Sequence, residues 1–204
     1  ALGRGLHWPG MPPPAPAATH AAEESRQAWV VVWACFVALA VIFGVSYSFA
    51  AFFESLTNEF SARRADVSLV FGLCGLVYFT GGAAAGLAAD RFGPRVVCGA
   101  GMLCIATGLA VSSLATQLWM VYLAYGVGIG VGIALVYTPS IACVQPWFTR
   151  RRGLAAGITS AGIGAGTVLV PLLATALIAT LQWRGAMLWL ALGVVLLGGS
   201  ATLL

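Results

Sequence analysis

Six stretches, each about as long as a bilayer is thick in helical residues, contain no Asp, Glu, Lys, Arg or His, and they constrain this chain more than any motif in it. They span residues 28–53, 67–89, 96–115, 118–145, 153–181 and 186–204. A hydrocarbon core takes about 20 apolar residues in a helix, and a charge at its centre costs about 2.5–3.5 kcal/mol. Lipid offers the backbone no hydrogen-bond partner, so runs of this length must close their bonds internally as helices. The chain is 60% hydrophobic and 8% charged, against about 25% charged in soluble domains. The expected fold class is therefore an all-α membrane protein with six transmembrane helices in one bundle, residues 28–204.

The charges fall between the runs: Glu23 to Arg26, Glu54 to Asp66, Asp90 to Arg95, Arg150 to Arg152, and Arg184. The net charge of +4 comes from ten arginines with no lysine. They are split among separate loops, so topology explains them and a nucleic-acid face does not. With the N-terminus in the cytoplasm, that side holds seven arginines and the other side holds Arg63, Arg64 and Arg184. The positive-inside bias then favours a multi-pass protein of the inner or plasma membrane with both ends cytoplasmic. Cys35, Cys74, Cys98, Cys104 and Cys143 lie inside apolar runs without zinc-site spacing, and read as small buried hydrophobes. No metal or cofactor is expected.

Residues 1–27 read as a disordered cytoplasmic tail. Pro9 to Pro16 is proline-rich and has no apolar periodicity to pack. His7 and His20 lie in this tail, away from any site, and Met11 is a candidate natural start. At the other end Thr202-Leu203-Leu204 lacks a charged exit flank, so the expectation is a chain missing a second half.

The turns carry their own signals. Asp66 is placed to cap the second helix, Gly93-Pro94 to stop it, and Arg150, Arg151 and Arg152 to sit at the negative end of the fourth. Small residues recur at close-packing intervals: Gly126, Gly128, Gly130 and Gly132 in the fourth run, and Gly153, Gly157, Ala161 and Ala165 in the fifth, with Gly162 and Gly166 on a second face. Such faces let backbones approach where no hydrophobic force acts between helices. A nucleotide-binding reading of these glycines fails, because no strand precedes them and the fingerprint spacing is absent. Tyr78, Gly82, Gly86 and Asp90 share one stripe of the second helix.

The turn Gly86-Leu-Ala-Ala-Asp90-Arg91-Phe-Gly93-Pro94-Arg95 resembles the loop between helices two and three of the major facilitator superfamily. Trp147 to Gly157, which contains Arg150, Arg151, Arg152 and Gly153, resembles the loop between helices four and five of its monocarboxylate-transporter-like and oxalate/formate-antiporter-like branch. Gln182-Trp183-Arg184-Gly185 is similar to the Trp-Arg element of that branch. The resemblance covers residues 28–204 and implies the N-terminal half of a twelve-helix fold, with a solute cavity between two halves that rock about it. It implies that Gly86, Asp90, Arg91, Gly93 and Arg95 belong to a cytoplasmic gate latch. Helices one and four, with parts of two and five, would face the cavity.

Tyr47, Tyr78, Tyr137 and Thr138 are the candidate cavity residues, since tyrosine joins an apolar ring to one hydrogen-bonding hydroxyl. No cation lies within these spans, so the counter-charge for an anionic solute would have to come from the missing half. The expected function is secondary active, alternating-access transport of a small organic anion such as a monocarboxylate. A carrier of another solute, such as a drug or amphipathic metabolite, is the alternative, and a stand-alone six-helix channel is more remote. An intramembrane protease built on Ser160 lacks a general base within the spans, so no enzyme is expected. The implied partners are the lipid bilayer, a small-molecule solute and the C-terminal half of the same chain, and no nucleic acid.

Overall fold

The computed structural model describes residues 26–148 and 151–203, and the tail expectation, apart from Arg26 and Gln27, lies outside them, as does Arg150. Among the described residues there are helices and turns and no strand. Four helices follow the runs: α1 Arg26–Glu59, α2 Arg64–Phe92, α3 Pro94–Ser113 and α4 Leu118–Trp147. The last helical stretch, Arg152–Thr202, has 51 residues. At 1.5 Å per residue it would be about 77 Å long if straight, more than twice a hydrocarbon core of about 30 Å. It is broken at Gln182, where φ is +60° and ψ 171°, which gives α5 (152–181) and α6 (183–203). Six apolar runs thus become six spans, with the fifth and sixth joined by a one-residue kink.

α1 begins two residues before its apolar run and continues to Glu59, one and a half turns past Phe53. Hydropathy marks how much helix lies in lipid, not where the helix stops. At the opposite end of the bundle, the α2–α3 turn is built as its sequence suggests. Gly93 takes φ +86°, a value that disfavours any side chain, and its N–H donates to Ala89 O at 2.9 Å. Pro94 then opens α3 at a position where its missing donor is not needed.

Glycine contacts fix which helices pair. On α1 and α5, Phe36 faces Gly162, Ala40 faces Gly166 and Gly44 faces Val170. The numbers rise together, so the two helices run parallel. A Cβ on Gly162 or Gly166 would run into the α1 backbone at the carbonyls of Phe36 and Ala40. α2 and α4 form a second parallel pair. A Cβ on Gly130 would lie 2.9 Å from Cys74 O, and one on Gly81 would lie 3.2 Å from the Ala134 methyl. α3 crosses α4 antiparallel, with Gly101 and Gly132 against each other's carbonyls at 2.7–2.8 Å from an added Cβ. It also meets α6 through Met102 and Gly198. Within α4, Tyr122–Ile129 is wound as a π-helix, a widening that often marks functional segments.

The largest core runs through Leu39, Ile42 and Phe52 of α1, Ile105 and Leu109 of α3, Tyr125 and Ile133 of α4, and Met187 of α6. A second, smaller cluster joins Val32 and Cys35 of α1 to Val144 of α4, Phe148 just past its end, and Ala155 of α5. α2 and α5 bury little of themselves. Leu69, Leu76, Phe79 and Leu87 on α2, with Val168, Leu169, Leu172 and Leu173 on α5, are exposed within this chain. A surface that apolar has to be met by lipid or by another body.

Candidate functional site

Three helices bring aromatic rings to one point near mid-span. Phe43 of α1, Tyr78 of α2 and Tyr137 of α4 stand edge to face, with centroids 6.1 Å (Phe43–Tyr78), 5.6 Å (Phe43–Tyr137) and 5.5 Å (Tyr78–Tyr137) apart. Interplanar angles of 80–90° place positive ring edges on negative ring faces, an arrangement worth about 0.5–1.5 kcal/mol per pair beyond area burial. Glycine makes the approach possible. Gly130 lets α4 reach Cys74 O, one turn before Tyr78, and Val77 next to it, and Gly82 and Gly86 leave room beside Thr138. Thr138 Oγ1 donates to Gly82 O at 3.4 Å, a long bond. Both tyrosines and Thr138 are half-buried.

The structure therefore collects Tyr78, Tyr137 and Thr138, and sets Tyr47 apart. Tyr47 sits one turn along α1 from Phe43, 47% exposed, with its ring edge on Phe71 of α2 at 6.0 Å. Phe71 stacks on Phe49 at the same distance. Together with Ala50, Phe53 and Ser68 they line a shallow cavity of about 280 Å³. Phe43 escaped the sequence reading, because a phenylalanine in an apolar run carries no signal. Its only trace is the four-residue step to Tyr47.

Other polar residues of the spans are absorbed by packing. Tyr125 is fully buried, and its hydroxyl donates to Val45 O at 2.8 Å, tying α4 to α1. Ser48 Oγ donates to Gly44 O at 2.7 Å within α1. Thr159 is buried, and its Oγ1 has no hydrogen-bond partner among the described residues.

At the Gly93 end, Asp90 and Arg91 are exposed. Neither forms an ion pair with a described residue, and Arg91 lies over the ring of Phe92 at 5.4 Å. Arg95, exposed as well, stands at a cavity of about 180 Å³ that Pro94, Cys98 and Trp147 also line. Across the α4–α5 turn, Arg151 caps α5, and Arg152 Nε donates to Phe148 O at 2.5 Å, a cation on the carbonyl just past the end of α4. Gly153 is exposed, with open space where a Cβ would stand.

The Glu59 end is closed by charge. Arg184 reaches Glu59 Oε1 at 2.8 Å and Ala115 O at 3.0 Å, and its guanidinium lies over Trp183 at 4.4 Å. One side chain thereby ties the end of α1, the α3–α4 loop and the α5–α6 kink. Asp66 does not cap α2 with its side chain. Arg63 is the capping residue, and Asp66, three residues on, accepts two bonds from its guanidinium at 3.0 Å. That bond holds the Asp66 carboxyl below the usual carboxylate range.

Such a bundle, with parallel α1/α5 and α2/α4 pairs, an aromatic junction at mid-span and charged turns at both ends, is that of a multi-pass membrane protein. The Major Facilitator Superfamily profile matches residues 34–204, and the chain belongs to that superfamily. It is 35% identical over 160 residues to monocarboxylate transporter 13 of Bos taurus, covering 78% of this chain and 38% of that protein. Monocarboxylate transporter 6 of Mus musculus is 34% identical over 165 residues, covering 81% and 35%. MFS-type transporter 1 of Ophiocordyceps sp. (strain BCC 1869) is 31% identical over 163 residues, covering 79% and 36%. The chain thus spans little more than a third of the length of these relatives.

Proposed function

We propose that the chain is the N-terminal half of a secondary active transporter that moves a small organic anion such as a monocarboxylate by alternating access. The observation that carries this reading is the junction of Phe43, Tyr78 and Tyr137. Half-open rings on α1, α2 and α4, with Thr138 beside them, make a wall for the apolar part of a small solute. The similarity to monocarboxylate transporters supports the anion. The exposed apolar faces of α2 and α5 support a second half that packs on them, and the shorter length relative to those proteins agrees.

In this reading the Gly93 end is cytoplasmic, as the arginine bias favours, and the protein lies in the inner or plasma membrane. Asp90, Arg91 and Arg95 form a latch that pairs across the two halves in one state and releases in the other, with Gly86 and Gly93 shaping the turn. Arg150, Arg151, Arg152 and Gly153 brace the neighbouring loop. A charge held at a helix end biases such an equilibrium by about 0.3–1 kcal/mol. Uptake of a labelled short-chain monocarboxylate into proteoliposomes tests the reading. Asp90→Asn should insert normally and depress uptake, whereas unchanged uptake removes the latch.

A second reading, transport of a drug or amphipathic metabolite, is favoured by one observation: no Lys or Arg lies within residues 28–53, 67–89, 118–145 or 153–181. A buried carboxylate needs a cationic partner or several strong donors. An arginine within the spans of the second half would decide for the anion.

A further inference from the structure

The cavity of about 180 Å³ at the Gly93 end holds a feature that transport does not use. Cys35 of α1 and Cys143 of α4, 108 positions apart in the chain, bring their Sγ atoms to 3.2 Å. Both are free thiols. Cys35 is buried and Cys143 is half-buried. Cys98, Ser140 and Arg95 line the same space. The two sulfurs are held in register by the smaller core cluster, in which Val32 and Val144 flank them and Trp29 meets Phe148 edge-on at 5.2 Å.

Two uses of a thiol pair compete here. Metal binding is the poorer one. Tetrahedral thiolate sites need sulfurs on the order of 3.7 Å apart, given metal–sulfur bonds of about 2.3 Å, and four ligands. Among the described residues no group of three or more Cys, His, Asp or Glu is placed to hold a metal ion. Cys98 does not join the pair. Its Sγ points to Val136 O at 3.9 Å and Ser140 Oγ at 4.0 Å. What remains is two sulfurs in direct contact, on two cysteines that both line a cavity bordered by a charged side chain, so a small polar oxidant has a way in.

We propose that Cys35 and Cys143 are a modification site, a dithiol that a hydroperoxide converts to a disulfide linking α1 to α4. Sγ of Cys143, the less buried of the two residues, attacks a peroxide oxygen. The O–O bond breaks, Cys143 becomes a sulfenic acid, and for hydrogen peroxide the leaving oxygen departs as water. Cys35 Sγ then attacks the Cys143 sulfur, the S–O bond breaks and the hydroxyl leaves as a second water, carrying the Cys35 proton. Two thiols and one peroxide thus give one disulfide and two waters, with both electrons passing from sulfur to oxygen. Cys35 lies eight residues from Phe43 on α1, and Cys143 six residues from Tyr137 on α4. At 1.5 Å per residue the clip stands about 9–12 Å from the aromatic junction, on two of its three helices.

The test is thiol counting on the full-length protein in nanodiscs. Hydrogen peroxide is applied and quenched, and a maleimide is added under denaturing conditions. Peroxide should remove two maleimide adducts, thiol reductant should restore both, and proteolysis with mass spectrometry should recover a Cys35–Cys143 linked peptide 2 Da lighter than the sum of its reduced parts. Cys98→Ser should behave as wild type in the appearance of that peptide, while Cys35→Ser should yield no reducible intramolecular link. An unchanged adduct count, a loss that reductant does not reverse, or a link joining Cys143 to Cys98 overturns the proposal.

Discussion

Gly166→Ala should be among the most damaging single methyl additions in the bundle. The new Cβ would point at the α1 backbone, 2.6 Å from the carbonyl carbon of Ala40 and 2.7 Å from its Cα. Carbon pairs rest at about 3.5–4.0 Å, so α1 and α5 must separate by roughly 1 Å. A gap of that size forfeits about a quarter to a half of each pair's ~0.1–0.2 kcal/mol. Over on the order of 40 pairs along the seam from Phe36 to Val170, the loss comes to about 1–4 kcal/mol, in line with about 1–3 for overpacked cores. Gly193→Ala on α6 is the control, since nothing stands within 4 Å of its added Cβ. It should gain up to about 1 kcal/mol of helix propensity. Thermal unfolding in detergent, followed by a thiol-reactive dye, measures both. At about 2–4 °C per kcal/mol, Gly166→Ala should fall well below wild type and Gly193→Ala should not. Equal melting temperatures for the two would mean that α1 and α5 do not meet through this glycine.

Gln182→Gly should raise the melting temperature, because a side chain at φ +60°, ψ 171° is held at a cost of about 1–3 kcal/mol that glycine does not incur. Arg184→Ala should lower it by the equivalent of about 1–3 kcal/mol, as the Ala115 carbonyl and Glu59 both lose a charged donor, and Arg184→Lys should restore only part through loss of the planar fork. The Arg63–Asp66 contribution is set by pH. With the folded carboxyl below its unfolded value of about 3.9, the contribution is fully present above that value and vanishes as pH falls through the folded one. Asp66→Asn should therefore match wild type in slope everywhere except below about pH 4.

The spans and the α2–α3 turn were legible because each rests on local chemistry: lipid excludes charge over a fixed length, and Gly93-Pro94 can only turn and restart a helix. Pairing was legible in part. Small residues recur on two faces of α5, and only three dimensions show that Gly162 and Gly166 are filled by α1 while Gly153 and Gly157 stand open. The tyrosines announced a cavity by type, yet Tyr125, equally polar, is consumed by Val45 O. Nothing in a one-dimensional pattern separates it from Tyr137. The Cys35–Cys143 contact and the π-helix of α4 arise from how helices cross, which spacing along one helix does not encode.

Solvent access at position 137 bears most directly on the carrier account. In a background with the native cysteines replaced by serine, Tyr137→Cys is treated with a membrane-impermeant maleimide from each side of sealed vesicles, with and without a short-chain monocarboxylate. The account predicts labelling from both sides and a change in both rates, in opposite directions or by protection, when solute is added. A residue 137 that stays unlabelled from both sides, or labels at rates that solute does not alter, would contradict it.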